Sequence, residues 1–93
     1  MPEAFIFSTA RTPIGRAYKG SLAGIDAYQL AEIVVTAAVQ RAGIPATALD
    51  DLILAESLQG GGVIARNVAV RLGMTSVPGL AVNRHCASGA TAV

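Results

Sequence analysis

"LILAESLQGGGVIARNVAVRLGMTSVPGLAV", Leu52 to Val82, is the stretch on which the fold turns. Two short apolar runs, Leu52–Ser57 and Leu80–Val82, stand at its ends. Between them the sequence predicts a helix from about Val63 to Leu72, stopped by Gly73, and a Val77-Pro78-Gly79 turn then leads into the second run. Leu52–Ala55 within the first run and Leu80–Val82 are continuously apolar, as in strands covered on both faces, which is the habit of parallel rather than antiparallel sheets. Strand, helix, strand in that order predicts a crossover unit.

Upstream, Ala4–Thr9 (AFIFST) reads as a further buried strand, and the Pro13, Gly15, Gly20 and Gly24 that follow make Arg11 to Gly24 a loop. The next segment carries the clearest local signals. Asp26 and Gln29 are spaced as a capping box, with Ile25 and Leu30 placed as a hydrophobic staple across it. Leu30, Ile33, Val34, Ala37 and Ala38 recur at helical spacing, and Gly43 with Pro45 ends the pattern, so a helix is predicted over Ala27–Ala42. Val35 and Val39 lie off that stripe, which makes more than one face apolar. Downstream, the small and apolar residues from Cys86 onward predict the onset of another helix. The expected architecture is α/β: a mainly parallel sheet carrying Ala4–Thr9, Leu52–Ser57 and Leu80–Val82, with the helices packed on it.

Composition bounds the function. Of 93 residues, 53% are hydrophobic and 14% charged, too few charges to dress the surface of a small domain, so further chain or a second subunit is expected over part of it. A net charge of +1 argues against nucleic acid as a partner. One cysteine excludes an internal disulfide and a thiolate zinc cluster. There is no basic stretch ahead of the first apolar residues and no run approaching the ~20 residues of a membrane helix. A cytoplasmic protein without a membrane partner is expected. The chain ends without a helix stop signal, and the expectation is a partial domain, residues 1–93, ending inside a helix.

Two motifs invite a chemical reading. Gly60, Gly62 and Ala65 match the G-x-G-x-x-A dinucleotide pattern, but that pattern needs a carboxylate ~20 residues on, and no acidic residue follows Glu56. The glycines therefore read as a tight turn with close helix packing. Arg66 and Arg71 read as helix-surface positions rather than an anion clamp. The second motif is V-N-R-H-C-A-S-G, Val82 to Gly89, which holds the single cysteine and single histidine. Cys86 follows a strand at the expected start of a helix, where free N–H groups and the helix dipole favour a thiolate and can hold an oxyanion. Cysteine is also among the most buried residue types, and residue logic leaves nucleophile and structural thiol both open. His85 reads as a packing or hydrogen-bonding residue, because adjacent residues leaving a strand project to opposite sides.

The motif V-N-R-H-C-A-S-G, preceded by Val77-Pro78, resembles the nucleophile segment of thiolases. Arg11-Thr12-Pro13-Ile14-Gly15-Arg16 with Gly20-Ser21-Leu22 is similar to the family's N-terminal segment, and Leu58 to Leu72, with Ala65-Arg66, to its turn and following helix. The family often has Asn-Pro where this chain has Val63-Ile64. The resemblance implies the first part of the N-terminal half of a thiolase-like α/β fold. It further implies a buried helix starting near Cys86. In function it implies an acetyl-CoA C-acyltransferase in which Cys86 takes an acyl group from a 3-ketoacyl-CoA, releasing acetyl-CoA, and passes it to coenzyme A, or runs the condensation in reverse. Coenzyme A and acyl-CoA would be substrates, with no permanently bound cofactor, and the full-length protein would be a homo-oligomer. The family's catalytic histidines and second cysteine lie further downstream, so residues 1–93 alone are expected to be inactive. The alternatives are a catalytically silent interaction module and a ketosynthase-like condensing enzyme; the R-T-P-I-G block favours thiolase over the latter.

Overall fold

A computed structural model describes residues 2–58 and 62–93, so Gly60 and Gly61 of the triple glycine lie outside the described residues. The chain forms two compact units, Met1–Ile44 and Pro45–Val93.

The first unit is built around α1, Ala27–Ala42. Its start is the expected capping box. Asp26 Oδ1 accepts from Gln29 N at 2.8 Å, and Asp26 N donates to Gln29 Oε1 at 3.0 Å, so two of the helix's unpaired donors are satisfied reciprocally. It ends at Gly43, whose φ of 70° lies in the left-handed region that glycine enters without a Cβ penalty. The buried row, however, is Ala31 and Val35, whereas Ile33 of the expected stripe is 55% exposed. With apolar residues around most of the helix, periodicity does not single out the inward face. Arg41 near the helix end donates from Nη1 to Thr9 O at 2.9 Å, pinning the N-terminal segment.

Ala4–Thr9 is the one expected strand that does not form. Phe5 and Phe7 are 72% and 86% exposed. Apolar, β-favouring composition marks a segment that fits a sheet, but a strand exists only with a ladder partner, and among the described residues none pairs with this segment.

The second unit holds the crossover. Strand β1, Leu52–Ala55, pairs in parallel with β2, Gly79–Val82, in the register Leu52–Gly79, Ile53–Leu80, Leu54–Ala81 and Ala55–Val82. Between them runs α2, Ile64–Arg71, packed on both strands. The core is its inner row, Ile64, Ala65, Val68 and Ala69, closed by Met74 and Val77. At the C-terminus of α2, Met74 N donates to Ala69 O (2.8 Å) and Gly73 N to Val70 O (3.0 Å). This is a Schellman ending, with Gly73 at φ 77° and buried Met74 beside buried Ala69. Helix and sheet meet closely at Gly79. A Cβ there would fall 2.6 Å from Arg66 Cα and 2.8 Å from Ala65 C, against backbone that cannot swing aside. The opposite apolar positions Ile53 and Leu80 stay 36% and 47% exposed, so the pair is not covered on both faces in this chain. A short 3₁₀ turn, His85–Ala87, leads from β2 to α3, Ser88–Ala92.

Two stability changes follow. Gly79→Ala should lower the unfolding free energy by about 3 kcal/mol, the upper part of the usual overpacking range, read as a lower urea midpoint. Asp26→Ala should cost about 1 kcal/mol, and Asp26→Ser clearly less. An unchanged midpoint for Gly79→Ala would show that α2 and β2 do not approach as described.

Candidate active site

The parallel register brings the carboxyl ends of β1 and β2 side by side, which is where open α/β sheets present their sites. The ladder extends one step beyond the strands, Glu56 N donating to Val82 O at 2.8 Å. Glu56 and Asn83 therefore leave the sheet together, and the segment after Asn83 carries Cys86.

Glu56 acts with its side chain too. α2 begins at Ile64 behind Val63, a residue with no side-chain cap to offer. Glu56 Oε1 fills that gap, accepting from Ile64 N at 2.7 Å. A carboxylate against the first turn of a helix also complements the helix dipole. Local spacing cannot reveal such a cap, because donor and acceptor are eight residues apart and meet only through the fold.

Past β2 the chain makes a tight, heavily tied bend. Asn83 Oδ1 accepts from His85 N at 2.9 Å, and Asn83 Nδ2 donates to Ser57 O at 3.4 Å. His85 sits at φ 50°, in the left-handed region that a non-glycine residue occupies only when its surroundings hold it there. Ser88 is the buried member of the group, at 2% exposure. Its Oγ accepts from Arg84 N at 2.6 Å and lies 2.7 Å from His85 O and 3.1 Å from Glu56 O.

Cys86 is solvent-exposed within this bend. It does not open a helix as expected: it lies in the 3₁₀ turn His85–Ala87, and α3 starts two residues later. The Ser88 hydroxyl explains the shift, since it takes the Arg84 N–H and faces the His85 carbonyl, holding residues 84–88 in a tighter turn than an α-helix. Within this chain Ser88 is the buried residue of α3. His85 is exposed, with its backbone held by Asn83.

Arg66 and Arg71 are both exposed, as expected of a helix surface. Arg66 has a structural task that the sequence did not signal. Its Nη1 donates to Val77 O at 2.9 Å and Thr75 O at 3.2 Å, tying the turn before β2 to the helix. Among the described residues no group of histidine, cysteine and acidic side chains could hold a metal ion, and no helix is long and apolar enough to cross a membrane.

Residues 4–93 match the family model for the thiolase N-terminal domain. The chain is 44% identical to a 3-ketoacyl-CoA thiolase of Bacillus subtilis, over 96% of this chain and 24% of that protein. It is 38% identical to a probable acetyl-CoA acetyltransferase of Escherichia coli, over 100% and 24%. Among solved structures, human mitochondrial 3-ketoacyl-CoA thiolase in complex with CoA superposes with a TM-score of 0.83 at 33% identity, over 94% of this chain and 23% of that one. The chain thus spans about a quarter of the length of the curated relatives it matches. One of these proteins is mitochondrial, so likeness to the group does not by itself assign the expected cytoplasmic location.

The cap makes a direct prediction. Glu56→Ala should destabilise the protein by about 1–2 kcal/mol, and Glu56→Gln, which keeps an acceptor oxygen without the charge, by less than half of that. Equal losses in urea denaturation would show that charge rather than the hydrogen bond to Ile64 holds the helix start.

Proposed function

The chain belongs to the thiolase family, and from that premise we propose that it carries the acyl-accepting thiol of an acetyl-CoA C-acyltransferase, Cys86. One observation carries the reading. The only cysteine in the chain is exposed at the carboxyl end of a parallel strand pair, on a bend whose backbone is fixed from both sides.

In thiolysis, Cys86 Sγ as thiolate attacks the 3-keto carbon of a 3-ketoacyl-CoA. The bond between C2 and C3 breaks, and its electron pair leaves with the acetyl-CoA portion, which takes up a proton. The shortened acyl group stays on Cys86 as a thioester. A coenzyme A thiol gives its proton to a base and attacks this thioester, releasing the shortened acyl-CoA and the free cysteine. Condensation is the same path reversed. Coenzyme A and acyl-CoA are substrates in this reading, which the CoA complex of the human relative supports, and no resident cofactor takes part. The Cys86 backbone N–H is one donor to the oxyanion.

The second half of the cycle needs a positioned base, worth typically ~10²–10⁴ in rate. The one histidine here, His85, is exposed in a strained bend and is not assigned that role. We accordingly assign residues 1–93 as a partial thiolase N-terminal domain that supplies the nucleophile, with the base, the remaining oxyanion donors and a homo-oligomeric assembly belonging to the full-length protein. Taken alone, the 93 residues are catalytically silent.

Intact-mass spectrometry after incubation with acetoacetyl-CoA tests the proposal. The full-length protein should gain one acetyl group that maps to Cys86, and Cys86→Ala should lose both the adduct and turnover. An adduct elsewhere, or undiminished turnover in Cys86→Ala, would remove Cys86 from the mechanism. Thiolysis by residues 1–93 alone would show the assigned division of labour to be wrong.

A further inference from the structure

Two residues from Cys86 stands a buried hydroxyl that acyl transfer does not itself require. Ser88 is 2% exposed, while Asn83 to Ala87 are all exposed. Its Oγ touches three backbone groups from two separate pieces of chain. These are the Arg84 N–H just past β2, the His85 carbonyl inside the turn that bears Cys86, and the Glu56 carbonyl at the end of β1. A serine hydroxyl has one proton and two lone pairs. It accepts from Arg84 N and shares its one proton between the two carbonyls, His85 O at 2.7 Å and Glu56 O at 3.1 Å. A serine bonding back to a carbonyl three residues earlier is common at helix starts; the added contact to a neighbouring strand is not part of that local pattern.

The bend needs such a tie. His85 holds φ 50°, a conformation that persists only when the surroundings over-determine it. Its N–H is taken by Asn83 Oδ1 and its carbonyl faces Ser88 Oγ, so the residue immediately before Cys86 is gripped at both ends. Through Glu56 O the grip reaches the sheet rather than ending in the loop.

We propose that Ser88, assisted by Asn83, is a positioning residue for the Cys86 thiol, fixing the turn before substrate arrives so that Sγ meets the acyl carbon in attack geometry. The inference rests on the assignment of Cys86 as nucleophile. Neither side chain is a catalytic residue; each acts through the backbone on either side of the thiol.

The test uses the full-length protein with Ser88→Ala, Ser88→Thr and Asn83→Ala. Acetylation of Cys86 by acetoacetyl-CoA is followed in a single turnover, alongside the KM for acetoacetyl-CoA, the thermal midpoint and exchange of the Arg84 amide. Misplacement of a reacting group by about 1 Å costs on the order of 100-fold, so folded Ser88→Ala should acetylate roughly 10- to 100-fold more slowly with KM changed less than about twofold. Ser88→Thr, which keeps the hydroxyl, should recover most of the rate. A role confined to stability would lower the midpoint and leave the acetylation rate of the folded protein alone, and that result overturns the proposal. If both Ser88 variants fail to fold, Asn83→Ala decides, because it alters an exposed side chain: a several-fold slower acetylation upholds the proposal and a wild-type rate overturns it. If the wild-type protein is never acetylated, the nucleophile assignment falls. The grip is then judged by the Arg84 amide, where exchange about tenfold faster in Ser88→Ala upholds it and unchanged exchange overturns it.

Discussion

Gly79 lies where a strand touches the backbone of a helix, and the second unit depends on that contact. A side chain there would collide with Arg66 and Ala65, so β2 can lie under α2 only by starting with glycine. The helix answers with small residues of its own: Ala65 and Ala69 are fully buried beside Val68. Close approach lets eight helical residues cover a two-stranded ladder, and it fixes where β2 begins. From that starting point the parallel register sets where β2 ends, and hence which residues leave the sheet beside Glu56.

Glu56 then joins the two halves of this arrangement. Its N–H extends the ladder to Val82, its carboxylate caps α2, and its carbonyl receives the Ser88 hydroxyl. One residue thereby holds the start of the crossover helix and the bend that presents Cys86. The thiol's exposure is thus not a sign of a loose loop: the backbone before it is held by Asn83 and Ser88, and the sheet behind that backbone is held by α2. The proposed nucleophile needs such support, since precision in a site comes from the residues that lock it.

How much of this was legible follows from how local each interaction is. α1 could be placed to the residue because its capping box and its left-handed glycine are encoded within a few positions of its ends. The second helix and the two paired strands were legible to within two residues, again from glycine and proline punctuation. What failed depended on partners far along the chain. Ala4–Thr9 has strand composition without a described ladder partner, and the inward face of α1 could not be singled out because valine, isoleucine and alanine surround it. The Glu56 cap and the Ser88 bridge span eight and thirty-two residues, with no motif to announce them. Cys86 was singled out by its neighbours in sequence; the turn that holds it was not.

On the proposed mechanism, a bend fixed by the sheet delivers Cys86 as the acyl acceptor. That claim is tested most directly by a crystal structure of the full-length protein trapped after incubation with acetoacetyl-CoA. The claim predicts an acetyl thioester on Cys86 Sγ, His85 still at positive φ, and Ser88 Oγ still between Arg84 and Glu56. An acetyl group on another residue, or an acetylated Cys86 on a bend from which Ser88 has let go, would contradict it.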